Sequence, residues 1–252
     1  MNKDILALWT SHFSIGKSTL TLEKPEEILD NKPISIFSIA KANNLKEVYL
    51  VENNFSGFIE AYKNSKDNNI QLKFGLKLVI CNNIEDKSKE SENTESKVII
   101  WMKNSAGYSN LIKIYSKAAC DGFYYYPRLD WALLQSMFTD NLFLSIPSYS
   151  SFLHNNLLKR MECVPDFGKI KPNIMVSNMS LPFDFLIKEA HTSYAKNNNL
   201  DVIEVHPIYF YGPKQLDSYL CYKAIHNRGQ FSNIKIDHHG SSEFCWEEYL
   251  KK

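Results

Sequence analysis

Residues 11–18 read SHFSIGKS and follow a short apolar run. The ending matches the phosphate-binding pattern G-x-x-x-x-G-K-[ST], whose glycine turn aims backbone N–H groups at phosphate. Ser11 stands where the first glycine belongs, and no apolar strand ending in Asp supplies the second half of a nucleotide site. A polar loop after a first strand is therefore the expectation for this segment. His238 and His239 follow Asp237. Adjacent side chains on a strand point to opposite faces and seldom share a metal, so a polar turn ending in Gly240 is expected there. Tyr124, Tyr125 and Tyr126 with Arg128 join π faces to a guanidinium, the combination that stacks on bases and pairs with phosphate. Tyr125, Tyr126 and Arg128 are candidates for nucleic-acid or partner contact, with internal packing as the alternative.

The elements that must position these groups alternate. Residues 5–9, 47–51 and 73–81 are apolar runs of strand length, and residues 33–43 and 57–68 between them have helical spacing. Residues 82–97 break the rhythm with Asn, Ser, Glu, Asp and Lys, so a solvated, mobile loop is expected. Strands at 98–102, 141–145, 173–176 and 201–205 then alternate with helices at 105–119, 151–160, 183–197 and 216–227, the first opened by a Ser cap. Alternation of this kind predicts an α/β fold with parallel strands. No repeat or domain boundary stands out, so residues 1–252 read as a single domain. Residues 232–252 are a polar, aromatic-studded tail suited to pack on it.

Composition narrows the function classes. The chain has 252 residues, 44% of them apolar, enough for one sizeable core. A net charge of +1 gives no global footprint for nucleic acid, so any DNA contact is local or through a partner. The five cysteines form no CxxC pair, which argues for reduced thiols in a cytoplasmic protein rather than a zinc ribbon or redox dithiol. No leader of basic then apolar residues and no membrane-spanning apolar run is expected.

Several segments, in linear order, resemble one family. Residues 47–63 (EVYLVENNFSGFIEAYK) and 69–80 (NIQLKFGLKLVI) are similar to consecutive strand-bearing segments of the PHP domain of bacterial DNA polymerase III α subunits. Residues 97–130 match best, with G-Y-x-N-L, G-F-Y-Y and P-R-[IL]-D in the family's order and spacing. Residues 141–145, 201–225 and 244–252 resemble later segments. The resemblance implies a PHP-type distorted TIM-like barrel, (β/α)7, of about seven β/α units.

Active PHP domains resemble one another in holding several metal ions through His, Asp and Glu at the strand ends, where the ions activate water and neutralise phosphate. Carried onto this chain, the ligand places fall on Leu8 and Thr10, on Glu52 and Asn53 beside Val51, on Lys77, and on Pro207 and Tyr209. Glu52 alone keeps ligand chemistry, and a lysine at 77 opposes a cation. A single weak metal among His12, His206 and Glu52 is the minor alternative to histidines hydrogen-bonded in a filled cavity.

The resemblance therefore implies a non-catalytic PHP-like domain associated with DNA replication. It would act as scaffold or docking module for a DNA polymerase or its proofreading exonuclease, with no cofactor and no catalytic residue. The alternative is a divergent metal-dependent phosphoesterase or 3′–5′ exonuclease using Zn, Mn or Fe. A third reading is a binding protein that mimics a polymerase domain.

Overall fold

A computed structural model describes residues 5–29, 32–230 and 239–252. The chain divides into two compact units: Met1–Phe74 with Ser177–Asp184 and Glu204–Lys252, and Gly75–Val176 with Phe185–Ile203.

The first unit carries β1 (Leu6–Trp9), α1 (Ile36–Ala42), β2 (Glu47–Glu52) and α2 (Phe58–Asp67). It also takes the start of β3 (Gln71–Cys81), most of β8 (Val202–Ile208), α7 (Leu216–His226) and the short α8 (Trp246–Tyr249). β1 lies parallel to β2, with Leu8 opposite Tyr49, and parallel to β8, with Leu8 opposite Pro207. The Ser35 side chain accepts from the Phe37 N–H and caps α1, whose Ile36, Phe37, Ile39 and Ala40 are buried. Residues 239–252 pack within the first unit. Trp246 stacks on Trp9 at 5.0 Å, the Tyr209 N–H donates to the Phe244 carbonyl at 2.9 Å, and the Tyr249 hydroxyl donates to the Ile5 carbonyl at 3.0 Å. Residues 232–238, including Asp237 and His238, lie outside the described residues.

The second unit holds the rest of β3, then β4 (Ser96–Met102), α3 (Ser105–Cys120), β5 (Arg128–Asp130), α4 (Trp131–Met137), β6 (Leu142–Ile146), α5 (Phe152–Lys159), β7 (Asn173–Ser177) and α6 (Asp184–Asn197). Its strands run in the order β7, β6, β4, β3, β5. The order of strands and helices along the chain is that of the expected α/β, TIM-like barrel class.

Parallel pairing, expected from the strand–helix alternation of the first third, holds between β1 and β2 but not around β4. β4 is antiparallel to β3, with Gly75 opposite Trp101, and antiparallel to β6, with Ile99 opposite Ser145. Parallel pairing needs a crossover long enough to return the chain to the same edge. Between β3 and β4 there is only a 3-10 turn at Glu90–Thr94, so the chain comes straight back. The cap of α3 is corrected too: Asn104, not a serine, accepts the Gly107 N–H at 2.9 Å.

Candidate functional site

The carboxylate at the end of β2 organises the site. The pattern EVYLVE buries the last residues of the strand, and Glu52 is fully buried. The Ser11 N–H donates to Glu52 Oε1 at 2.9 Å, and the Ser14 hydroxyl donates to Oε2 in a short hydrogen bond. Ser14 Oγ in turn accepts the Asn53 N–H at 2.9 Å, and Asn54 Nδ2 donates to the Phe13 carbonyl at 3.1 Å. The loop after β1 is thus sewn to the end of β2. Burial pushes the Glu52 carboxyl up to about 7, against hydrogen bonds from Ser11 and Ser14 that pull it down.

The same loop disposes of the phosphate-binding reading. The Ser14 N–H donates back to the Ser11 carbonyl at 3.1 Å and the Lys17 N–H to the Ser14 carbonyl at 2.9 Å. The Ser18 hydroxyl, where such a motif keeps its metal-binding oxygen, donates to the Tyr209 carbonyl at 2.8 Å. No helix follows directly; α1 opens only at Ile36. Gly16 has φ +70°, and a Cβ there would come within 2.4 Å of the His226 ring, so this glycine serves a turn against α7.

The other positions are filled by groups that do other work. Leu8 is an apolar core residue of β1, and Thr10 donates its N–H to the Ile208 carbonyl at 3.4 Å. The His12 ring lies 4.3 Å from that of Phe13, with Nδ1 3.3 Å from the Leu20 carbonyl. His206 is buried on β8 and its Nε2 lies 2.8 Å from the Glu243 carbonyl, which makes Nε2 the donor. Burial, helped by the Lys252 charge, lowers the imidazole to about 4, so it is neutral near pH 7. Tyr209 stacks on Tyr219 at 5.9 Å and on His239 at 5.8 Å, and the buried Lys223 ammonium sits 4.9 Å over the Tyr219 ring. Asn53 is half-buried and contributes its backbone N–H. In the second unit, Lys77 is a half-buried residue of β3 opposite Ile99.

These residues do not fit a cluster of metal ions. Both oxygens of Glu52 already accept from the loop, Nε2 of His206 is committed to a carbonyl, and a leucine, a proline and tyrosine occupy the remaining places. Among the described residues no group of three or more His, Cys, Asp or Glu side chains is arranged to hold a metal. Glu52 and the two serines belong together. Only the glutamate was singled out in the sequence, although Ser11 and Ser14 lay in the segment read there as a polar loop.

The second unit reassigns Arg128. It is fully buried rather than presented at the surface, and its guanidinium donates to Glu95 Oε1 at 3.2 Å, Ser91 Oγ at 3.1 Å and the Asp86 carbonyl at 3.0 Å. The Tyr126 hydroxyl donates to the other Glu95 oxygen at 2.5 Å. This anchor corrects the expectation for 82–97: Ser91 and Glu95 are buried, and the polar segment is tied down from inside. Tyr125 remains exposed, at 74%, beside Phe123 at 51%.

The PHP domain family model matches residues 30–167, and the chain belongs to that family. It is similar to DNA polymerase III subunit alpha from Chlamydia muridarum, at 36% identity over 84 residues, covering 32% of this chain and 7% of that protein. The protein of that name from Borreliella burgdorferi is 32% identical over 98 residues, covering 38% and 8%. That from Helicobacter pylori is 31% identical over 119 residues, covering 46% and 10%, so the match spans a tenth or less of these relatives. A crystal structure described as a metal-dependent phosphoesterase from Bifidobacterium adolescentis aligns with TM-score 0.42 at 11% identity, over 80% of this chain and 87% of that one.

Proposed function

We propose that this chain is a non-catalytic PHP-like module of DNA replication, acting as scaffold or docking surface for a DNA polymerase or its proofreading exonuclease. The observation that carries the reading is the state of Glu52, the one ligand-type residue left at a matched place. It is buried and holds the Ser11–Ser14 loop with both oxygens. The competing reading, a metal-dependent phosphoesterase or exonuclease, requires a metal ion to reach that fully buried carboxylate with further ligands beside it. The replication assignment is supported by the matches to polymerase III subunit alpha.

Tyr125 is the residue best suited to partner contact. It is exposed and held at φ +59°, a conformation costly for a bulky side chain. Binding of the full chain to purified polymerase and proofreading exonuclease from the same source tests the reading. Saturable binding weakened about ten-fold by Tyr125→Ala is expected for an anchor of this size. Failure to bind either protein removes the docking role.

A further inference from the structure

A second site lies at the N-terminal ends of β6 and β7. A cavity of about 630 Å³ opens there, within the volume range of small-molecule sites. Its walls come from the residue after β4, the α4–β6 turn and the segment before β7. The lining carries Lys103, Lys169 and Lys171 against a single carboxylate, Asp140. Three ammonium groups against one carboxylate make the lining net positive. Phe138 and Phe143, with Ile170, supply the apolar part.

The walls are fixed before any ligand arrives. Gln135 Nε2 donates to the Asp166 carbonyl at 2.9 Å, and the Gly168 N–H donates to Asp166 Oδ1 at 3.1 Å, which sets the lysine-bearing segment against α4. Gly168 has φ +53°, and a Cβ there would lie 2.2 Å from Gln135 Oε1. Lys103 Nζ donates to the Asp140 carbonyl at 2.9 Å, which aligns the ammonium and leaves it further N–H donors. Asn110 Nδ2 donates to Thr139 Oγ1 at 2.5 Å and steadies the turn that carries Phe138.

Ammonium groups around an aromatic, apolar floor match a ligand with an anionic end and a flat apolar body. We propose that this cavity binds a nucleoside phosphate, with the phosphate on Lys103, Lys169 and Lys171 and the base against Phe138 and Phe143. The source is either a free nucleotide or one nucleotide of a single strand. The inference needs no docked partner, so it stands or falls separately from the proposed function.

Fluorescence anisotropy of the full chain tests it, using a fluorescein-labelled oligothymidylate of about 12 nucleotides. Thymidine monophosphate and inorganic phosphate serve as competitors. The double variant Lys169→Ala/Lys171→Ala removes two exposed side chains and should weaken binding about ten-fold, while the log–log salt slope falls by about 1. The control Lys41→Ala/Lys63→Ala, also exposed, should bind like the parent. Circular dichroism melting checks that both variants are folded. Competition by thymidine monophosphate assigns the free nucleotide, and its failure beside tight oligonucleotide binding assigns the strand. No binding, an equal loss in the control, or equal competition by phosphate and nucleotide overturns the proposal.

Discussion

Glu52 is a buried carboxyl that ties the loop after β1 to the end of β2. Its carboxyl is raised from 4.5 to about 7 chiefly by burial, so the fold favours the protonated form. Its contribution to stability is full below pH 4.5 and is lost as pH rises through 7, a difference of about 3 kcal/mol. Glu52→Gln keeps an acceptor for the Ser11 N–H and removes the charge, while its amide N–H replaces the acceptor of the Ser14 hydroxyl with a donor to Ser14 Oγ. Urea unfolding should find this variant at least as stable as the parent at pH 8, with the pH slope between 4.5 and 7 flattened. Arg128 carries a second prediction. Glu95→Ala leaves a fully buried guanidinium without its carboxylate and should cost about 3–5 kcal/mol. Loss of less than about 1 kcal/mol would show that the pair is not closed in solution. Residue chemistry was legible where the sequence states it outright: a leucine at 8 and a lysine at 77 speak for themselves. Which groups Glu52 would meet was not legible, because Ser11 and Ser14 lie about forty positions away, separated by 41 and 38 residues. The packing alternative for Arg128 could not be chosen there for the same reason, since its partner Glu95 sits in a segment whose composition is that of a solvated loop.

At the scale of elements, periodicity located most strands and helices, since each has a face that must be buried. Direction was harder. Nothing in the residues of β4 distinguishes an antiparallel strand from a parallel one; the absence of a crossover helix after β3 decides it. β5 and α4 escaped notice because a strand of three residues, Arg128–Asp130, shows no alternation, and Asp130 caps the helix that follows at once. The α3 junction supplies a prediction. A Cβ on Gly107 would lie 2.3 Å from the Asn141 carbonyl oxygen, so the helix sits directly on the turn before β6. Gly107→Ala should cost about 1–3 kcal/mol despite its better helix propensity, and Asn104→Ala about 1 kcal/mol through the lost cap. Chemical denaturation reads both, and a Gly107→Ala protein as stable as the parent would show that this approach is looser than described.

For the molecule as a whole, family membership does not by itself set function. The PHP family model matches residues 30–167, and around the ends of β1, β2 and β8 the side chains make core packing, hydrogen bonds and a setting for a buried lysine among aromatics. On the proposed reading, the framework is kept for the surface it presents. The decisive measurement is titration of Mn²⁺ and Zn²⁺ into the full chain, paired with phosphoester hydrolysis, for the parent and for Glu52→Ala. The account predicts no stoichiometric binding, no turnover above the metal-only control, and a variant that differs only in stability. Stoichiometric metal with turnover abolished by Glu52→Ala would contradict it.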